Sequence, residues 1–566
     1  MDITELDELI CRHLNRHDLA QCVRVSKKWH TVFIPNLWGD LSVLEKSSTV
    51  QQQAFTELVF EDFLQELQHQ ELRKDGYDTE PHNLPSRTSP LKKYGPRIRQ
   101  LPSPNFLRTL FQTLCTLPQP QHTHGTVDHA LDTMRHLYGQ CPTIQIRELI
   151  LEWELVEWAM YINVAAEYLV PRTQCLRLGT NGSIAISCSK LKYLLRHCSS
   201  TLEELTLQVK VTYDEEDKEQ ENDQEELKPW TRLKHLTLKP NPDESDSKAF
   251  WPWLWRHCSE VEELRLRHLT PIFESLAEGV STHMPRLNRI HFPEGTNSER
   301  IGAILSGCRQ GWKEVNISNV LLAPSTKATL MEHCSTLERL VIDGKCGFTD
   351  HEKVAFLARC PMLREFICTD ITWGSNLDVL GLRALTFIDQ DPDTGALKTW
   401  ACESTLKVLR VMIIDIPRPD LLEREHPSWG FARPNMMKDE AYPGHGLEIQ
   451  RQVYDRLARL THLETLVLGE IASQGLYCTG LAMSLESGLH RLSRMTALKE
   501  LQVPHLIAWI GVEEVQWMTK HWPKLRVITA FSMRDFDQEV VEWLRQHRPE
   551  VHLKSLLSSE SLRFFS

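Results

Sequence analysis

The chain reads as an α/β protein: a small N-terminal bundle of three helices, then a right-handed solenoid of about 13–15 strand–helix repeats. Two observations predict this. An apolar pattern, one residue, two variable positions, a second apolar residue, one variable position and a third, recurs along most of the sequence. From Ile146 to Leu363 its steps are 27, 29, 31, 28, 26, 25, 25 and 26 residues. The first forty residues carry a different, helical periodicity.

In residues 1–42, Leu6, Leu9, Ile10 and Leu14 form one helical stripe, and Asn15-Arg16-His17 breaks it. Leu19, Cys22, Val23 and Val25 form a second stripe. Ser26 is placed to cap a third helix carrying Trp29, Val32 and Phe33. Three short helices with so many large apolar residues barely cover their own core, so the module wants a partner. Residues 43–90 hold an amphipathic segment, Val50–Leu72, and the start of a proline-rich connector, Pro81–Pro104.

The solenoid is expected over 91–553. Its units stand at Ile146-Leu149-Leu151, Leu202-Leu205-Leu207, Leu233-Leu236-Leu238, Val261-Leu264-Leu266, Leu287-Ile290-Phe292, Trp312-Val315-Ile317, Leu337-Leu340-Ile342 and Leu363-Phe366-Cys368. They continue at Leu382-Leu385-Phe387, Leu406-Leu409-Val411, Leu463-Leu466-Leu468, Leu498-Leu501-Val503 and Leu525-Ile528-Ala530, with a weaker copy at Thr173-Leu176-Leu178. The alternating tail of each unit fits a strand, and segments such as Ser325–Cys334 fit a helix. No unit can bury its apolar side alone, whereas stacking makes a continuous core. Insertions are expected at about 213–228 and 415–447, and a tail at 554–566.

Composition narrows the function. The 566 residues carry a formal net charge of −12, which disfavours a protein that holds nucleic acid through its phosphates. Nine acids and one lysine between Asp214 and Glu226 account for −8 of it. The acidic N-terminus, MDITELDELI, does not read as a secretory signal, and neither charge-free stretch, Thr109–Val127 or Ile471–Leu485, suits a bilayer. The expectation is a cytoplasmic or nuclear protein that engages neither membrane nor nucleic acid.

Fifteen cysteines contain no C-x-x-C. Cys141, Cys198, Cys258, Cys308, Cys334 and Cys360 instead precede successive repeat segments, which reads as a buried slot. His197, His257 and His333 stand beside three of them, but equivalent positions in a stack point the same way without converging on a metal. His13 with His17 and His122 with His124 lack further ligands. Phosphate-cradling, zincin and hydrolase-elbow motifs are missing. No catalytic residue, cofactor or metal is expected: the protein should bind rather than catalyse.

The N-terminal residues carry a specific resemblance. Leu-x-x-Leu-Ile-x-x-x-Leu, Asp18-Leu19, Val25-Ser26-Lys27-Lys28-Trp29 and Asn36-Leu37-Trp38 resemble an F-box. The C-P-x-L-x-x-L form at Cys360–Phe366 resembles the cysteine-containing leucine-rich repeat. With YPGHGLEIQRQVYDRL from Tyr442 and IGVEEVQWM from Ile510, the chain resembles fungal F-box proteins with leucine-rich repeats. The resemblance implies a substrate-recognition subunit of an SCF ubiquitin ligase, docking on a Skp-type adaptor and through it a cullin. By residue, Leu6, Leu9, Ile10, Leu14, Leu19, Val25, Trp29, Leu37 and Trp38 match the adaptor-binding pattern. The Leu-Pro that usually opens the module is absent, which implies weakened adaptor affinity or a start upstream of Met1. The competing readings are a three-helix cap on a scaffold without adaptor recruitment, and an inhibitor that acts by occlusion.

Substrate-binding candidates come from the variable strand positions: His235 and Lys239, Arg265 and Arg267, Arg289 and His291. Adjacent strands should align Thr237, Arg265 and His291 at roughly 5 Å spacing, making a cationic patch for an acidic or phosphorylated protein segment. The alternative is that neighbours such as Glu263 neutralise these charges. The acidic run at 214–226 could compete for the patch or be a solvated insertion.

Overall fold

In the computed structural model the described residues are 146–153, 162, 166, 170–180, 185–198, 201–212, 229–239, 250–267, 272–369, 382–416, 446–469, 481–503, 510–530 and 538–555. The N-terminal helical module with its nine adaptor-binding candidates, the connector, the acidic run and most of the second insertion lie outside them. The chain divides into two compact units, Met1–Val261 with Thr270–Ile272, and Glu262–Leu269 with Phe273–Ser566.

The first unit contains β1 (Ile146–Trp153), β2 (Thr173–Thr180), β3 (Ala185–Ser187), α1 (Cys188–Arg196), β4 (Glu204–Gln208), β5 (Lys210–Thr212), β6 (His235–Leu238) and α2 (Phe250–Arg256). Strands β1, β2, β4 and β6 pair in parallel in that order, and β3 pairs with β5. Register places Leu149, Leu176, Leu205 and Leu236 side by side, so the recurrent leucines form a row. All four are buried. Strand alternation puts the intervening residues on the opposite face.

The second unit contains β7 (Glu263–Leu266), α3 (Phe273–His283), β8 (Arg289–Phe292), α4 (Ser298–Gly307), β9 (Glu314–Ser318), α5 (Pro324–Glu332), β10 (Arg339–Asp343), α6 (Asp350–Arg359) and β11 (Glu365–Thr369). It continues with β12 (Leu382–Arg383), α7 (Ala384–Ile388), β13 (Val408–Val411), β14 (Ile413–Ile414), α8 (Gly446–Ala458), β15 (Thr465–Leu468), β16 (Glu500–Val503), α9 (Val512–His521), β17 (Val527–Ala530), α10 (Gln538–His547) and β18 (His552–Ser555). A 3-10 turn, Leu489–Arg494, stands between β15 and β16 where other repeats have an α-helix.

Ten of these strands pair in parallel, β7-β8-β9-β10-β11-β13-β15-β16-β17-β18. One buried row runs through Leu264, Ile290, Val315, Leu340, Phe366, Leu409, Leu466, Leu501 and Ile528. Strands β8–β11, β13 and β15–β17 are also locked at their starts. The Asn288 carbonyl accepts from Lys313 N at 2.7 Å and Glu314 N at 3.1 Å, and Lys313 O accepts from Glu338 N and Arg339 N, both at 2.8 Å. The doubled contact recurs at Glu338, Arg364, Lys407, Glu464 and Lys499. One parallel strand per repeat, with helical segments between, is consistent with a leucine-rich-repeat solenoid.

Helix starts follow local chemistry. Thr349 and Glu352 form a reciprocal capping box on α6, and the Asn297 side chain accepts from Glu299 N and Arg300 N on α4. After β10 the chain turns through Gly344 at φ +66°, where a Cβ would meet the Asn319 carboxamide at 1.8 Å, so only glycine fits.

Two expectations are corrected. Leu382-Leu385-Phe387 is not a repeat strand, because the same residues satisfy helical spacing: Ala384, Phe387 and Ile388 are buried on α7 while Leu385 is exposed. Only Leu382 and Arg383 are extended, pairing with β14 outside the long sheet. At the C-terminus the ladder continues past 553, since β18 pairs with β17 through Ser555.

The cysteine slot is a core position: Cys198, Cys258, Cys308, Cys334 and Cys360 are buried free thiols. Burial pushes the Cys198 and Cys258 thiols up. The neighbouring imidazoles are turned to backbone: His197 Nδ1 lies 2.8 Å from Tyr193 O, His257 Nδ1 3.0 Å from Trp253 O, and His333 Nε2 3.1 Å from Leu305 O. Among the described residues, no group of three or more His, Cys, Asp or Glu is placed to hold a metal, and no helix is long and apolar enough to cross a membrane.

Candidate protein-binding face

The leucines of each strand face the core, so its other residues define the opposite face. In the second unit the first such position runs Glu263, Arg289, Glu314, Arg339 and Glu365 on five consecutive strands, in register. Acid and base alternate. Arg289 Nη1 is 4.0 Å from Glu263, Arg339 donates from Nη1 to Glu314, and Arg339 Nε donates to Glu365 at 2.7 Å.

The second position runs Arg265, His291, Asn316, Val341 and Ile367. Arg265 Nε donates to Glu263, whose side chain is only 7% exposed. His291 Nε2 stands 3.3 Å from Glu263 and 3.4 Å from Glu314, while its Nδ1 is 3.3 Å from Asn316 Nδ2. An amide donating to Nδ1 leaves the neutral ring's proton on Nε2, between the two carboxylates. Burial pushes the imidazole below its ordinary pKa, against the pull of Glu314 and Glu263.

Of the predicted binding residues, the structure brings Arg265, Arg289 and His291 together around one buried carboxylate. Arg267 lies exposed just after β7. His235, in register with Glu204, and Lys239, whose N–H donates to Leu207 O at 2.8 Å, belong to the first unit and are half-buried. Arg265 aligns with His291 as expected, and Thr237 aligns with Thr206. The expected bare cationic patch is corrected to a charge-compensated ladder, because the residue two places before Arg265 and its counterparts on β9 and β11 are glutamates. Glu314, Arg339 and Glu365 were missed. Their signal stands in the sequence, a charged residue one place before the middle apolar position of each repeat from β7 to β11.

A second charged row precedes the strands. Its order across the sheet is Glu338, Arg364, Lys407, Glu464, Lys499 and Arg526, with Glu550 beyond. Arg364 pairs with Glu338 at 3.8 Å, Lys407 with Glu464 at 3.3 Å, and Arg526 with Glu550 at 3.7 Å; Lys499 also donates to Glu464. The Lys499 and Lys407 hydrogen bonds hold the Glu464 carboxyl below the usual carboxylate range.

The face itself changes along the sheet. From β13 on, its first position reads Val408, Thr465, Glu500 and Val527, and the charge alternation stops. A surface of fixed ion pairs and β-branched side chains offers recognition by shape and charge. Among the described residues it assembles no nucleophile with a base.

No protein-family model matches the chain, and no curated protein matches it. Among solved structures, the chain is similar to one in the crystal structure of the Rad7 and Elc1 complex in yeast. That match has 12% identity and a TM-score of 0.35, and covers 90% of this chain and 98% of that one. It is also similar to an internalin, InlF, from Listeria monocytogenes str. 4b F2365, with 12% identity, a TM-score of 0.33, and coverage of 80% of this chain and 94% of that one.

Proposed function

We propose that this chain is the non-catalytic substrate-recognition subunit of an SCF-type ubiquitin ligase, working in the cytoplasm or nucleus. The F-box-like module recruits the Skp-type adaptor and its cullin, and the repeat sheet holds a protein substrate. The carrying observation is the apolar pattern of Leu6, Leu9, Ile10, Leu14, Leu19, Val25, Trp29, Leu37 and Trp38 joined to a long parallel sheet with a polar face. A helical module too small to bury its own apolar residues gains stability by docking.

Pull-down of the Skp-type adaptor with wild type, Trp29→Ala and Leu37→Asp tests this. Wild type should retain the adaptor, and each variant should lose about tenfold or more of it, as removal of a buried aromatic or aliphatic anchor does. Absence of the adaptor from the wild-type eluate leaves the second reading, a repeat scaffold without ligase recruitment.

A further inference from the structure

The charged row before the strands has an order that the face of β7–β11 does not. There, acid and base alternate without a break from Glu263 to Glu365. In the preceding row the order is Glu338, Arg364, Lys407, Glu464, Lys499, Arg526, Glu550, so two cations stand next to each other twice. Arg364 and Lys407 precede β11 and β13, which are paired neighbours, and Lys499 and Arg526 precede β16 and β17, likewise paired. Each cation has a carboxylate on one side only. All four side chains are 53–55% exposed. Like charges on adjacent strands repel, and an anion set between them relieves this.

Between the two cation pairs their own row holds one carboxylate, Glu464, and the adjoining face bears Val408, Thr465, Glu500 and Val527 in its first position and Arg410, the buried Val467 and Gln502 in its second. Three of its four first-position side chains are uncharged, whereas all five on β7–β11 are charged and a ligand there would have to displace carboxylates already paired with arginine. From the midpoint of one cation pair to that of the other is three strand steps, roughly 14 Å at the usual interstrand spacing. An extended chain covers that distance in about four residues.

We propose that the strand face from β11 to β17 docks an extended segment of a partner protein bearing carboxylates at i and i+4 with β-branched or apolar residues between them. One carboxylate sits between Arg364 and Lys407, the other between Lys499 and Arg526. The inference rests on the reading of the repeat sheet as the protein-capturing surface, and it names the chemistry that surface selects.

The test uses the full-length chain and fluorescein-labelled peptides with a Glu-Val-Thr-Val-Glu core, read by fluorescence anisotropy at low salt. Controls have lysines in place of both glutamates, or both glutamates adjacent. The spaced-glutamate peptide should bind about tenfold or more tighter than either control. Lys407→Glu combined with Lys499→Glu should reverse the preference toward the lysine peptide, and Arg309→Glu, at an exposed position outside both charged rows, should change nothing. Both lysines are more than half exposed, and circular dichroism checks that the double variant folds. Equal binding of all peptides, binding of none, or loss with Arg309→Glu alone overturns the inference. Adaptor pull-down on the same samples separates the two failures: loss of peptide preference with the adaptor retained sinks only this docking site, and the converse sinks only the ligase reading.

Discussion

At the scale of single residues, histidine decides how the protein responds to acid. His257, His291 and His333 all have pKa values pushed below the ordinary one, in each case chiefly by burial. A folded-state pKa below the unfolded one means that the unfolded chain binds more protons, so stability falls as pH drops below about 6.5. Scanning fluorimetry from about pH 7 to about pH 5.5, above the carboxylate range, should show a falling midpoint. His291→Gln should flatten that slope, and a midpoint that rises on acidification would contradict the burial assigned to these rings. The histidines beside the cysteines were legible in the sequence as repeated positions. The burial of Glu263 was not, because it depends on Arg265, Arg289 and His291 closing over it from two strands.

At the scale of elements, the segment after β11 shows where sequence periodicity stops being decisive. Leu382–Ile388 fits both a strand and a helix template, and a distant residue settles the matter. Arg456, on α8, is fully buried. Its guanidinium donates to Ile388 O at 3.0 and 2.6 Å, Asp389 O at 3.1 Å, Lys398 O at 2.6 Å and Glu403 at 3.2 Å. It also lies 4.4 Å over the Trp400 ring. Burial lowers its pKa to about 10, which leaves it a cation at neutral pH. One side chain therefore ties the end of α7 and the hairpin at 389–400 to the next helix of the core. Arg456→Met would orphan several buried carbonyls and cost about 3 kcal/mol, and Arg456→Lys would restore little, since an ammonium lacks the planar fork. Denaturant midpoints measure both; a loss below about 0.5 kcal/mol would refute the clasp. Nothing in the local sequence announced it, because its acceptors lie 53–68 residues away.

At the scale of the whole molecule, the apolar period was the legible feature. A repeat of near-constant length specifies strand, register and buried row together, which is why Leu205, Leu264 and Leu501 fall where the pattern puts them. The charged rows were harder to see. Their meaning lies between repeats, at positions the period treats as variable. Contacts in each unit are mainly between neighbouring repeats, so cooperative unfolding need not extend from end to end. Tryptophan fluorescence, which samples Trp230 and Trp255 in the first unit and Trp312 and Trp522 in the second, should resolve more than one denaturant transition when compared with circular dichroism. Coincident single transitions by both probes would show the units to be thermodynamically one.

The doubled hydrogen bonds at the strand starts set limits on how this chain can vary. Each shared carbonyl fixes two consecutive N–H groups of the following repeat, so neither residue of that dipeptide can become proline without loss of alignment. Elsewhere the rule is lax: 57 residues separate Leu406 from Leu463, yet Lys407 O still receives Glu464 N and Thr465 N at 2.7 and 3.0 Å. Alignment is set at a two-residue docking point and holds across an interval about twice the usual step. Lineages of such proteins are therefore free to lengthen or shorten the material between strands while preserving the spacing of what the strands display.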